Sequence, residues 1–147
     1  MYGNEIGDMA WMDLSVPNAE QVKGFYQKVL SWQSEAVNMS CDGEAYKDFA
    51  MSAKHKESST KEEQSTKEIS ANHFVTGVCH AKGANDDMPA VWLPYFLVAD
   101  IELAVTTVQK EGGELVTKIK AIGDDKYVVI KDPAGAQCAL YHKAPTG

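Results

Sequence analysis

Polar and apolar residues alternate over residues 11–16, where Met12, Leu14 and Val16 are the apolar members. This period of two predicts a β-strand whose two faces meet different surroundings. Asn18 follows as a candidate helix cap. An apolar stripe at helical spacing comes next, formed by Val22, Phe25, Tyr26, Val29 and Leu30. Further strands are predicted near residues 33–37, 45–51 and 73–79.

The second half of the chain repeats this order of elements. A strand over residues 93–98 precedes Asp100, which is a second candidate cap, and a helix that ends at Gly112 and Gly113. Three more strands are then predicted, at residues 115–119, 127–130 and 137–141.

The two halves superpose at an offset of 82 residues, which pairs Val16 with Val98 and Asn18 with Asp100. Short matches of this kind gain weight because the order of elements matches as well. The sequence therefore predicts an α+β protein built from two strand–helix–strand–strand–strand modules in tandem.

We expect a single domain over residues 1–147, with module one at about 8–82 and module two at about 90–143. Module one contains a polar insertion at residues 52–72, in which lysine, glutamate, serine and threonine dominate and no apolar face can be drawn. This composition predicts a solvated loop.

Composition narrows the class of protein. Hydrophobic residues are 44% and charged residues 24% of the 147 positions, as in ordinary globular domains. The fourteen basic residues are all lysine and face twenty-one acidic ones, for a net charge of −7. An acidic chain without arginine is a poor partner for nucleic acid or an anionic membrane. Three cysteines without CxxC spacing, and no secretory or membrane-spanning pattern, predict a cytoplasmic protein.

Four segments carry a family resemblance: residues 13–18 (DLSVPN), 25–32 (FYQKVLSW), 77–83 (GVCHAKG) and 132–135 (DPAG). In them the chain resembles the vicinal oxygen chelate superfamily, which includes glyoxalase I, bleomycin resistance proteins, extradiol dioxygenases and methylmalonyl-CoA epimerase. It looks most like a poorly characterised glyoxalase-related branch. The resemblance implies two βαβββ modules that form a curved mixed sheet around a cavity, with the helices on its outer face. It also implies a homodimer and, in many members, a divalent metal at the centre of the cavity.

The metal-ligand positions implied by the resemblance are occupied here by Trp11, Leu93 and Ala139. None of these side chains has a donor atom suited to a divalent cation. The fourth ligand would come from the strand whose polar residues are Thr76, Cys79 and His80. Because a divalent site needs three or more protein ligands, we expect neither a metal nor another cofactor.

Strand alternation predicts which side chains line the cavity instead. The residues on that side of three strands are Trp11, Asp13, Ser15, Leu93, Tyr95, Gln137 and Tyr141. Aromatic rings with a few oriented polar groups are typical of a pocket for a neutral or cationic organic ligand. Trp11 is the candidate to stack on a flat ring or a cation.

These observations predict a metal-independent protein that binds a small organic ligand. The alternative is an enzyme of the lyase, isomerase or oxygenase type, in which Asp13 is a general base or an atypical site holds a metal. A third possibility is a structural subunit whose cavity is filled by its own side chains. We expect no nucleophile–base pair from Cys79 and His80, because adjacent strand residues point to opposite faces.

Overall fold

The structure is a computed structural model that describes residues 2–41, 43–53 and 74–145. Most of the predicted insertion at residues 52–72 therefore lies outside the described residues. Only its first two residues, Ser52 and Ala53, belong to the fold reported below.

The helices and strands follow one another in the predicted order. The first five are β1 (Met9–Val16), α1 (Ala19–Leu30), β2 (Gln33–Cys41), β3 (Glu44–Ser52) and β4 (Phe74–His80). A short 3-10 turn at Gly83–Asn85 precedes β5 (Leu93–Leu97) and α2 (Ile101–Lys110). The last four are β6 (Glu114–Leu115), β7 (Lys120–Ile122), β8 (Asp125–Lys131) and β9 (Gln137–His142).

The nine strands of the described residues belong to one mixed sheet, because β5 pairs with β9 in parallel whereas β1 pairs with β5 antiparallel. The predicted α+β class is confirmed. Neither helix in the described part of the chain has the length and apolar character needed to traverse a lipid bilayer.

By its contacts the chain divides into two compact units. Unit one comprises Met1–Asp13 and Val91–Gly147, and unit two comprises Leu14–Ala90. Strand β1 thus contributes its beginning to unit one and its last three residues to unit two. The predicted module boundaries describe the repeat along the sequence and stay a prediction.

In unit two, β2 and β3 pair without interruption from Gln33 opposite Ser52 to Cys41 opposite Glu44. Gly43, in the turn between them, has a φ of 81°, a left-handed conformation that glycine adopts without steric cost. Strands β2, β3, β4 and the end of β1 follow one another across this unit.

The apolar stripe predicted for α1 is only partly buried. Phe25, Val29 and Leu30 are 56%, 60% and 47% exposed, whereas Val22 and Tyr26 are half-buried. Ala19 is the one buried residue of this helix. The helix also contacts the sheet through Lys23, whose ammonium lies 4.6 Å from the centroid of the Phe49 ring on β3.

The two helices differ in their first turn. The carboxylate of Asp100 accepts a hydrogen bond of 3.1 Å from the backbone N–H of Leu103, so the predicted cap of α2 is confirmed. The side chain of Asn18 makes no capping bond to α1, and its amide donates to Oε1 of Gln21 at 2.9 Å instead. The predicted cap of α1 is therefore wrong.

Unit one has its core between α2 and one face of the sheet. Ile101 of α2 packs with Val128, Ile130 and Leu140, and the flanking apolar residues of the helix join this cluster. Helix α2 thus buries one of its faces against the sheet. The helix ends at Lys110, before the predicted glycine stop.

The strand predicted over residues 115–119 is wrong in its extent. The backbone N–H groups of Val116 and Thr117 both donate to the carbonyl of Val129, at 2.8 and 3.3 Å. The hydroxyl of Thr117 in turn accepts from the N–H of Val129 at 3.1 Å. Because a side chain takes the place of a ladder carbonyl, the chain bends after β6 and regular pairing resumes only in β7 at Lys120.

Candidate functional site

The face of the unit-one sheet opposite α2 carries a row of side chains on adjacent strands. Trp11 of β1 lies opposite Tyr95 of β5, Tyr95 lies beside Ala139 of β9, and Ala139 lies opposite Val129 of β8. Residues paired in this way share a face of the sheet. The row lies away from α2, because the next residue on β9, Leu140, packs in the α2 cluster.

A second row on the same face brings three tyrosines together. Leu97 lies beside Tyr141, and Tyr141 lies opposite Tyr127. The ring centroid of Tyr95 is 6.2 Å from that of Tyr127 and 6.4 Å from that of Tyr141. We call Trp11, Tyr95, Tyr127 and Tyr141 the aromatic face.

Tyr127 and Lys120 belong to this face and were missed by the sequence reasoning. Lys120 lies opposite Tyr127 and is only 8% exposed. Residues 127–130 are apolar at every position, which predicts a buried strand but does not indicate which of them share a face with Tyr141. Lys120 lies on the three-residue strand β7, which is too short to give a periodic pattern.

Trp11, Asp13 and Tyr2 form a connected group at the β1 side of the face. The indole N–H of Trp11 donates to Oδ1 of Asp13 at 2.7 Å. The ring of Tyr2 packs against that of Trp11, with 5.2 Å between centroids. Burial raises the pKa of Tyr2 above its ordinary value, and the negative charge of Asp13 raises it further.

At the other side of the face, the hydroxyl of Tyr141 donates to Oδ2 of Asp125 at 2.6 Å. Burial raises the pKa of Tyr141 well above its ordinary value, and the bond to the Asp125 carboxylate raises it further. The pKa of Asp125 is lowered, first by the bond of 2.7 Å from the Ala144 N–H and then by the one from Tyr141. The phenolic proton of Tyr141 is thus held by Asp125, and the Tyr141 oxygen has lone pairs that can accept a further hydrogen bond.

Gln137 and Leu93 lie on the same face, two residues before Ala139 and Tyr95 on their strands. Leu93 is fully buried and lies opposite Asp13. Oε1 of Gln137 is buried and has no hydrogen-bond partner among the residues that the structure describes. Such an acceptor costs about 1–3 kcal/mol of stability when it stays unpaired.

Six of the seven predicted lining residues lie in unit one, on the side of the sheet that carries the aromatic face: Trp11, Asp13, Leu93, Tyr95, Gln137 and Tyr141. The seventh, Ser15, is 4% exposed and belongs to unit two. Ser15 therefore is not part of the site described for unit one.

The residues at the implied metal positions do not fit a divalent cation. Trp11 and Ala139 flank Tyr95, and Leu93 lies opposite Asp13. The indole of Trp11, the methyl group of Ala139 and the aliphatic side chain of Leu93 have no lone pair that could bind a metal ion. Across the part of the chain that the structure describes, no group of three or more His, Cys, Asp and Glu side chains is placed to hold a metal ion.

His80, at the end of β4 in unit two, is held by its neighbours on β3. Its backbone N–H donates to Oδ1 of Asp48 at 2.8 Å, and its Nδ1 lies 2.7 Å from the carbonyl of Lys47. The ring also meets that of Tyr46 edge-on, at 5.7 Å between centroids. Because Cys79 precedes it on the same strand, the two side chains point to opposite faces, as expected.

Comparison with known proteins identifies the family. Residues 8–140 match the family described as the Glyoxalase/Bleomycin resistance protein/Dioxygenase superfamily. The chain belongs to this superfamily. The match runs through β1 to β9 and confirms the resemblance inferred from the four sequence segments.

Two Streptomyces relatives of this superfamily member are about one-quarter identical to it. The anthracycline biosynthesis protein DnrV of Streptomyces peucetius is 27% identical over 141 residues, which are 93% of this chain and 47% of the relative. The anthracycline biosynthesis protein DauV of Streptomyces sp. (strain C5) is 26% identical with the same coverage. The chain thus spans about half the length of these curated relatives.

Two solved structures are similar to the chain over nearly its whole length. Selenomethionine-labelled methylmalonyl-CoA epimerase has a TM-score of 0.48 at 12% identity and covers 97% of this chain and 100% of its own. TioX from Micromonospora sp. ML1 has a TM-score of 0.30 at 10% identity and covers 99% of both chains.

Proposed function

We propose that this superfamily member binds a small organic ligand with a flat ring on the aromatic face, without the divalent metal common in the family. The observation that carries the proposal is the row of Trp11, Tyr95 and Ala139. Where the resemblance implies a metal ligand at each end of this row, the chain has an indole and a methyl group. These groups contact a ring by stacking and dispersion and leave a cation without ligands.

Two further observations support this ligand class. The relatives DnrV and DauV are named for anthracycline biosynthesis, and anthracyclines are compounds with aromatic rings. The chain has no arginine, so it lacks the bidentate cation that grips a carboxylate or phosphate. A neutral or cationic aromatic compound suits both facts better than an anionic one.

The proposal is tested by calorimetric titration with naphthylmethanol, a neutral aromatic probe. We expect Trp11→Ala to weaken its binding at least about tenfold, since the stacking ring is lost. Trp32→Ala is the matched control, because Trp32 packs on Tyr26 in unit two and its loss should leave the Kd unchanged. An unchanged Kd in Trp11→Ala, or no binding by the parent protein, excludes the aromatic face as the site.

The metal part of the proposal has its own test. Protein purified without chelator should contain far less than one equivalent of nickel, zinc, manganese or iron by elemental analysis. Added metal should leave the Kd for naphthylmethanol unchanged. One equivalent of tightly bound metal contradicts this part of the proposal and indicates an atypical site.

An enzyme of the lyase, isomerase or oxygenase type is the second candidate function. The observation in its favour is the bond from Trp11 to Asp13, because it orients a carboxylate beside the proposed ring-binding surface, where a general base must lie. Asp13→Asn keeps the shape of the side chain and should abolish turnover of any compound that the protein converts. Full turnover in this variant excludes Asp13 as the base.

The homodimer and the cytoplasmic location remain proposals drawn from the family resemblance and the sequence. Sedimentation velocity of the purified chain tests the first, with a single species of twice the 16.1 kDa chain mass expected. Cell fractionation tests the second.

A further inference from the structure

One end of the aromatic face has two hydrogen-bond acceptors. Asp13 lies two residues after Trp11 on β1, and Gln137 lies two residues before Ala139 on β9, so alternation keeps all four on one face. Strand β5 runs between β1 and β9 and presents the buried side chain of Leu93 there. Since neighbouring strands lie about 4.8 Å apart, the two acceptors rise from backbones separated by about 10 Å.

The amide oxygen of Gln137 is the main evidence for a ligand donor at this end of the face. It is buried, and no donor among the described residues reaches it. Buried acceptors in native proteins almost always have a donor, and an exception calls for a specific explanation. Its position on the face proposed for ligand binding provides one, because the N–H or O–H of a ligand would complete the missing hydrogen bond.

Asp13 adds negative charge on the other side of Leu93. One of its oxygens, Oδ1, accepts from the indole of Trp11, and a carboxylate oxygen accepts more than one hydrogen bond. A donor or a cation above Leu93 is therefore favoured by both neighbours. A ligand carboxylate at this place is repelled by Asp13 and leaves the oxygen of Gln137 unpaired.

We propose that Asp13 and Gln137 select aromatic ligands that carry an ammonium, amine or hydroxyl group over ligands that carry a carboxylate on the same ring. This inference rests on the proposed function, and it names the ligand class. Lys120, the buried cation of this face, lies opposite Tyr127 on β7, separated from β5 by β8 and β9. In the order of the sheet, Lys120 is therefore four strands away from Asp13.

Three probes that share one ring test the selection: naphthylmethylamine, naphthylmethanol and naphthoate, each titrated by calorimetry. We expect the amine and the alcohol to bind at least about tenfold more tightly than the carboxylate, which corresponds to about 1.4 kcal/mol. Gln137→Met should weaken the alcohol about tenfold, because it removes the acceptor and keeps the volume. Gln109→Met, the same change on the exposed side of α2, should leave the Kd unchanged.

Asp13→Asn is the second variant, and it should weaken binding of the amine more than binding of the alcohol, because it removes the negative charge that favours an ammonium group. Naphthoate that binds as tightly as the alcohol overturns the inference, and tighter binding of naphthoate points to Lys120 as the recognising group. An unchanged Kd for the alcohol in Gln137→Met overturns it as well. In these cases weaker probe binding by Trp11→Ala than by the parent protein still supports the proposed function. Absence of binding of all three probes contradicts both the proposed function and this inference.

Discussion

The indole N–H of Trp11 and the carboxylate of Asp13, two residues apart on β1, are joined by a hydrogen bond of 2.7 Å. The spacing of two puts both side chains on one face of the strand, and the bond fixes the orientation of the ring relative to the charge. The ring of Tyr2 packs on the ring of Trp11. Substitution of any of these three residues should therefore change the environment of the other two.

The first prediction concerns the charge of Asp13. Asp13→Asn should lower the pKa of Tyr2 towards its ordinary value of 10.0, because the repulsion between the two negative charges is lost. The pKa should stay above that value, since burial is the larger cause of the rise. NMR titration of the labelled tyrosine ring measures it, with the exposed Asp124→Asn as control. An unchanged Tyr2 pKa would mean that the Asp13 carboxylate does not face Tyr2.

The second prediction concerns the pH dependence of stability at Tyr141 and Asp125. The pKa of Tyr141 is raised on folding, so its contribution is present below the unfolded value of 10.0 and is lost as the pH rises above it. The pKa of Asp125 is lowered, so its contribution is present above 3.8 and is lost as the pH falls below it. Tyr141→Phe should flatten the alkaline limb of a pH–stability profile. Asp125→Asn should flatten the acid limb of the same profile. Parallel profiles for parent and variants would rule out the bond between them.

The third prediction concerns the hydroxyl of Thr117, which lies at the bend after β6. Thr117→Val removes the acceptor of the buried Val129 N–H and should lower the free energy of unfolding by about 1–3 kcal/mol in urea denaturation. Thr106→Val is the matched control, because this threonine is exposed on α2 and its hydroxyl donates to the carbonyl of Glu102 one turn earlier in the same helix. Its effect should stay within about 0.5 kcal/mol. Equal effects of the two changes would exclude a structural role for the Thr117 hydroxyl.

The fourth prediction compares the two helix starts. Asp100→Ala should cost about 1 kcal/mol of stability, since it removes the acceptor for the N–H of Leu103. Asn18→Ala should cost less than about 0.5 kcal/mol, because this side chain donates to the exposed side chain of Gln21 and not to the backbone of the helix. Thermal or urea unfolding of both variants measures the difference. A larger loss in Asn18→Ala would show that Asn18 caps α1 after all.

The fifth prediction concerns the unpaired acceptor. Gln137→Met should raise the free energy of unfolding by about 1 kcal/mol, because a buried oxygen without a partner is replaced by an apolar group of similar size. Gln109→Met should change it by less than about 0.5 kcal/mol. A marked loss of stability in Gln137→Met would mean that the amide is paired in solution.

Strand alternation was enough to predict that Trp11 and Asp13 share one face of their strand, and Leu93 and Tyr95 one face of theirs, because a period of two is fixed by the backbone of an extended chain. It gave no information on which strands are neighbours. The bond between Tyr141 and Asp125 joins two strands, so no local pattern announces it.

The misjudged elements also have physical causes. The apolar stripe of α1 is only partly buried, and Lys23 adds a contact over the ring of Phe49 that periodicity does not predict. The end of the predicted strand at residues 115–119 is set by the hydroxyl of Thr117, whose bond to Val129 depends on the tertiary structure. Propensity and periodicity describe a segment by itself, whereas the burial of a helix face and the end of a strand depend on the residues that the segment packs against.

The division of β1 between the two units has a consequence for the order of folding. Met9–Asp13 of β1 pair with β5, which follows them by about eighty positions in the chain. During synthesis on the ribosome they emerge long before their partner, whereas Leu14–Ala90 leaves as one continuous stretch. Unit two is therefore able to assemble while translation continues, and unit one has to wait for the second half of the chain. Trp11 and Asp13 acquire their neighbours on β5 only in that last step.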